Sequence, residues 1–163
     1  MNYKPGLCYK RDMDAPNKLQ DLFADAMGRD AMAPAGSTVL VAVSGGLDSM
    51  CLLHLMSRWA NNRDITVVAA TVDHRLRPFE DERKTVAGFC DEMGIKQLTM
   101  ELEPGLSDRA ASAGKSLAHA ARDERYVALR KAATSSGATR IALAHHANDQ
   151  AETVLLRLLR GTG

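Results

Sequence analysis

The chain has little of what would mark a specialised exterior. Aromatic residues make up only 4 % of its 163 positions, and the formal net charge is +1. So even a balance excludes a surface that holds polyanions by bulk charge; such a partner would need a local patch. The three cysteines, Cys8, Cys51 and Cys90, lie far apart, with no C-x-x-C pair. That spacing argues against a disulfide framework and predicts reduced thiols, two of them core-facing, in a cytosolic protein. No apolar run is long enough to span a bilayer and no signal-peptide pattern opens the chain. A soluble cytoplasmic protein with no membrane partner is therefore expected. Internal repeats and low-complexity segments are absent too. What remains is 45 % hydrophobic and 25 % charged, the composition of a soluble globular domain with a real core.

Residues 1–36 read as a separate leader. Asn17 to Arg29 can form a short amphipathic helix with Leu19, Leu22, Phe23 and Ala26 on one side, and Pro34-Ala-Gly36 ends the segment. Residues 37–163 read as one domain in which strand and helix patterns alternate. Strands are expected at Val39–Val43, Thr66–Val72, Gln97–Leu102 and Ile141–Ala144. Helices are expected after the first strand, near Glu80–Met93 with Gly94 to end it, at Leu117–Thr134 and at Asp149–Arg160. Pro104-Gly105 opens what reads as a long polar connection. The alternation predicts a Rossmann-like α/β fold, an open, mostly parallel sheet with helices on both faces. No edge strand follows the last helix, which predicts a domain truncated at its C-terminus.

The strongest signal is Val39-Leu-Val-Ala-Val-Ser-Gly-Gly-Leu-Asp-Ser49. A β-branched apolar segment ends in a Ser-Gly-Gly turn that opens onto an apolar helix. Such a junction presents backbone N–H groups and a helix N-terminus to an anion. The glycines allow positive φ and close approach, Ser44 adds a hydroxyl, and Asp48 and Ser49 suit a helix start. A bare Gly-Gly connection is the plain alternative. The Ser-Gly-Gly-x-Asp-Ser order resembles the PP-loop of ATP pyrophosphatases, which release AMP and pyrophosphate.

Further polar clusters follow the expected second and fourth strands, at Asp73 to Arg77 and His145 to Glu152. In an open parallel sheet, ligands bind at those strand ends. Arg122, Tyr126, Leu129 and Ala133 fall at i, i+4, i+7 and i+11, placing Arg122 on the apolar stripe of its helix. There it either clamps an anion, pairs with an internal carboxylate or reaches out to water. Arg125 flanks it. Asp149 and Glu152 are neighbours on a first helical turn, suited to the helix dipole or to Mg²⁺ beside phosphates. The adjacent His145 and His146 lack the spacing of a zinc pair and read better as hydrogen-bond donors. Gly114-Lys-Ser116 imitates a phosphate loop, but Arg109 stands where its first glycine is required.

Taken in order, Ser44-Gly-Gly-Leu-Asp-Ser49, Val72-Asp-His-Arg-Leu-Arg-Pro78, Ala121-Arg-Asp-Glu-Arg-Tyr126 and Ala144-His-His-Ala-Asn-Asp-Gln-Ala-Glu-Thr153, with the block that runs to Gly163, closely resemble the N-terminal domain of the tRNA(Ile)-lysidine synthase family. The resemblance covers Thr38 to Gly163. It implies a PP-loop fold of the adenine nucleotide α-hydrolase type and a ligase that forms a C–N bond. Such an enzyme adenylates the wobble cytidine of an isoleucine tRNA with a CAU anticodon and joins L-lysine to it. ATP and Mg²⁺ are the implied cofactors, and tRNA and L-lysine the implied partners, with most tRNA contacts in later domains; a homodimer is left open. By the same resemblance Ser44, Gly45, Gly46, Leu47, Asp48, Ser49, Asp73 and His74 bind the nucleotide. Asp48, Arg122, His145, Asp149 and Glu152 act in catalysis, and Asp48 and Asp149 hold Mg²⁺. Asn148 stands where the family often has a first aspartate, and Ala118 or His119 where it usually has a glutamate. Rival readings are another PP-loop ATP pyrophosphatase, for tRNA thiolation or amidation, or an ATP-binding module without chemistry.

Overall fold

The computed structural model describes residues 18–29, 31–61, 63–76 and 78–145. The chain divides into two compact units, Met1–Met32 and Ala33–Gly163. The first contains helix α1 (Lys18–Arg29), whose Asp21 in the first turn and Arg29 in the last complement the helix dipole.

The second unit runs β1 (Ser37–Ala42), α2 (Leu47–Ala60), β2 (Ile65–Asp73), α3 (Glu80–Met93), β3 (Lys96–Glu101), α4 (Leu106–Ser112), α5 (Leu117–Ser136) and β4 (Arg140–Ala142). The sheet order is β3-β2-β1-β4, and each neighbouring pair is parallel. This is the expected α/β architecture. The register sets Leu40 beside both Val68 and Ile141. Because side chains alternate along a strand, Leu40 and Val39 serve opposite faces, and both are buried. A strand covered on both sides reads as an unbroken apolar run, as Val39 to Val43 does.

Crossover handedness distributes the helices. The chain steps outward from β1 through β2 to β3, and then returns to β4 on the far side of β1. With right-handed crossovers, the two outward steps place α2 and α3 on one face and the return step places α5 on the other. His54 of α2 meets Phe89 of α3 edge to face, with ring centroids 6.2 Å apart. On the opposite face, Leu129 and Ala132 of α5 pack on Leu40, Val68 and Ala70.

Local chemistry sets most boundaries. Gly94 takes a φ of 64° and ends α3, while Ile95 N–H closes onto the Cys90 carbonyl at 2.8 Å. Gly137 does the same for α5. The stretch after Pro104-Gly105 departs from expectation, for it folds into α4. Its seven residues bury only Leu106 and Ala110, against Ala120, too faint a periodicity to show in the sequence. Gly114-Lys-Ser116 is the joint between two helices: Gly114 has a φ of 64° and the Ser116 side chain caps α5 by accepting from His119 N–H. β4 stops at Ala142, two residues short of the expected Ala144. The helix expected at Asp149–Arg160 lies outside the described residues.

Candidate functional site

The strand order reverses beside β1, and an open cavity of about 390 Å³ sits at that edge. It is lined by Ala42 to Ser44 after β1, by Val72 to Leu76 after β2 and by Leu143 to His145 after β4. Ligands enter open parallel sheets at such switch points. All three expected polar clusters therefore contribute to one site through their described residues.

The glycine turn joins β1 to α2 and is held by its own hydrogen bonds. Val43 N–H bonds to the Ala70 carbonyl at 2.8 Å, so the ladder holds up to the turn. Gly45 then reverses the chain with a φ of 83°. Gly46 is the residue before α2, and no side chain caps that helix, which leaves its first N–H groups available to a ligand. Ser49 braces the turn from beneath. Its hydroxyl donates to the Gly46 carbonyl at 2.9 Å and accepts from Ser44 N–H at 3.1 Å. A hydroxyl has one proton, so the 3.2 Å contact between the two serine oxygens makes Ser44 the donor. Ser49 is buried, whereas Ser44 and Gly46 are exposed. Leu47 and Asp48 stand exposed on the first turn of α2, Leu47 at 83 %; what Leu47 offers an anion is its backbone N–H.

Asp73 organises the second loop. Its carboxylate accepts Arg75 N–H at 2.7 Å, an Asx turn that lets Arg75 hold a φ of 53°. Arg75 then pairs with Glu101 at the end of β3. His74 faces the cavity with its Nδ1 buried and without a hydrogen bond. Burial, and next the nearby Arg125, hold its pKa below the ordinary 6.5, against the opposing influence of Asp73 and Glu124. It is therefore neutral near pH 7.

Arg122 requires a correction. It is exposed and lines no part of the cavity; Arg125, three residues on, is half-buried and does. The helix face turned to the sheet carries Ala121, Arg125, Leu129 and Ala132 at i, i+4, i+8 and i+11. Alanines contribute little to an apolar stripe read from sequence, so the stripe centre falls one helical step away from its true place. Tyr126 lies between the two arginines, its ring 5.7 Å from the Arg122 guanidinium and 5.6 Å from that of Arg125. Arg125 Nε is buried and has no hydrogen-bond partner.

His145 is exposed at the cavity mouth. Arg77, His146, Asn148, Asp149 and Glu152 lie outside the described residues. Among the described residues, no group of three or more His, Cys, Asp or Glu could hold a metal ion. Asp48 alone does not make a Mg²⁺ site. The cavity floor of Ala42, Ala70, Val72, Leu129 and Leu143 is apolar, a surface for a planar ring beside a charged rim.

A family model described as a PP-loop domain matches residues 12–163. A tRNA(Ile)-lysidine synthase of Thermotoga maritima is 43 % identical over 134 residues, covering 81 % of this chain and 32 % of the relative. One from Clostridium tetani is 34 % identical over 145 residues, covering 88 % of this chain and 31 % of the relative. The chain thus spans about a third of the length of these relatives. Among solved structures, the U34-tRNA thiolase NcsA of Methanococcus maripaludis superposes with a TM-score of 0.71 at 17 % identity, over 89 % of this chain and 52 % of its own. An NH3-dependent NAD synthetase of Campylobacter jejuni gives 0.59 at 16 %, over 77 % of this chain and 55 % of its own. At such identities the two structures are alike in fold alone. With its glycine turn, its parallel sheet and a match over residues 12–163, the chain belongs to the PP-loop domain family.

Proposed function

We propose that this chain is the ATP-binding part of a tRNA(Ile)-lysidine synthase. The observation that carries the reading is the uncapped, glycine-opened start of α2 at the mouth of a cavity, in a chain 43 % identical to an enzyme of that name. The Gly45 to Ser49 N–H groups receive the pyrophosphate end of ATP, and the apolar floor receives the base. Asp48 and Asp149 would hold Mg²⁺, carboxylate oxygens being the ligands that this cation prefers, and the ion would neutralise phosphate charge.

The chemistry has two steps. The O2 oxygen of the wobble cytidine attacks the α-phosphorus of ATP and pyrophosphate leaves. An amine of L-lysine then attacks C2, AMP leaves with the C–O electron pair, and the amine proton passes to a carboxylate, Asp149 or Glu152. Developing negative charge on the phosphates is met by fixed N–H dipoles, and Mg²⁺, when bound, would neutralise more of it. The test is AMP release from ATP, in a version of the protein extended to the length of its relatives. Release that requires both L-lysine and an isoleucine tRNA with a CAU anticodon is expected. Asp149→Asn should reduce it about a hundredfold or more, in line with the loss of a general base or metal ligand. Release independent of lysine sinks the reading.

A further inference from the structure

The cavity extends beyond what the glycine turn needs, and its other wall carries two buried polar atoms with no partner, Arg125 Nε and His74 Nδ1. Arg125 comes from α5, across the sheet edge from α2, with the apolar floor between them. A guanidinium N–H withdrawn from water without an acceptor is costly, and in a native site it marks a place for a ligand or a bound water. We propose that Arg125 and His74 form a second oxyanion subsite, separate from the glycine turn, for a singly charged group of the substrate.

The inference rests on the reading of the cavity as an ATP site. The shared chemistry is that of a carboxylate or of one nucleotide phosphate. A carboxylate suits it better, since the guanidinium fork matches a planar two-oxygen group. Asp73 on β2 and Glu124 on α5 act on His74 against Arg125, and Glu124 is itself paired with Arg109 at 2.9 Å. With the apolar floor separating it from the start of α2, the subsite orients an amino-acid substrate towards the nucleotide.

Proton linkage distinguishes this role from packing. Burial first, and then repulsion from Arg125, lower the His74 pKa; an anion beside Arg125 relieves the second of these, so binding favours the proton on His74 and strengthens as pH falls. Arg125 and Glu124 from α5 and Asp73 from β2 are the charged groups acting on it.

The experiment is calorimetric titration of the chain with L-lysine, lysinamide (the same cations without the carboxylate), AMP and inorganic pyrophosphate as internal reference. In Arg125→Gln the affinity for L-lysine relative to pyrophosphate should drop about tenfold or more, the usual effect of a lost charged hydrogen bond. Lysinamide should keep its ratio, and Arg125→Lys should recover part of the loss. His74→Asn should abolish proton uptake, read from the dependence of the heat on buffer ionisation. A drop confined to AMP supports the subsite with the nucleotide phosphate as its ligand. Equal changes for all four ligands, or none, overturn it and leave the ATP reading intact. Failure of the unsubstituted chain to bind pyrophosphate overturns both.

Discussion

Gly45 of the glycine turn is pressed against Glu82 in the first turn of α3: a Cβ placed on Gly45 would fall 2.9 Å from Glu82 Cβ and 3.3 Å from its Cα. The turn therefore has two independent reasons to lack a side chain, a φ of 83° and an occupied neighbouring volume. The second reason ties the position of α3 to the shape of the site.

Gly45→Ala should accordingly lower stability by about 1–2 kcal/mol from its left-handed φ alone, and by more once α3 yields. Gly46 has a φ of −76°, and an added Cβ would meet only Ser44 Oγ, at 3.4 Å. Gly46→Ala should therefore leave the urea midpoint close to that of the parent. If Gly46→Ala proves the more damaging, the contact with Glu82 is not what constrains the turn.

Ser49→Ala removes a buried hydroxyl that both accepts from Ser44 N–H and donates to the Gly46 carbonyl. The expected loss is about 1–3 kcal/mol, because a partly buried N–H and C=O lose their partner. Weaker pyrophosphate binding should accompany it, since the turn loses its brace. Equilibrium unfolding and titration on one preparation check both effects.

Stability should fall on acidification below about pH 6.5 through two histidines. His74 and His54 both have pKa values lowered, first by burial; Arg125 adds to this at His74 and Arg58 at His54. Their unfolded forms take up protons at a higher pH than their folded forms, so the unfolded state binds more protons there and stability rises with pH. The contribution is fully present above 6.5. Thermal melts of the parent and of His54→Gln between pH 7.5 and 5.5 test it; the variant should lose less on acidification.

Thiol reactivity should separate the two cysteines described. Cys90 is buried and its pKa is pushed up to about 11 by burial and by Asp91. At pH 8 only about one molecule in a thousand then carries the thiolate. Cys51 is half-buried. Alkylation followed by peptide mass mapping should label Cys51 in the native protein, and Cys90 only after unfolding. Equal labelling rates contradict the buried setting.

Much of this fold is legible in the sequence, because its signals are local. Val39 to Val43 reads as a buried strand from its unbroken apolar run, and Glu80 to Met93 reads as a helix from Val86, Phe89, Cys90 and Met93 at helical spacing, with Gly94 placed to stop it. The glycine turn declares its chemistry through backbone freedom that no other residue has. α4 does not declare itself, since only two buried side chains, Leu106 and Ala110, hold it, and only once Ala120 is opposite.

The sequence by itself determined the alternation of strands and helices and the chemistry of the Ser44 to Ser49 turn, since each depends on residues a few positions apart. Only the tertiary structure decided which arginine faces the cavity. That choice depends on the rotation of α5 about its axis, and the rotation is set by Leu129 and Ala132 seating against Leu40, Val68 and Ala70. A side chain as small as that of Ala132 leaves little trace in a periodic pattern, yet its burial against the sheet, four residues from buried Ala128, fixes the face that carries Arg125 to the cavity.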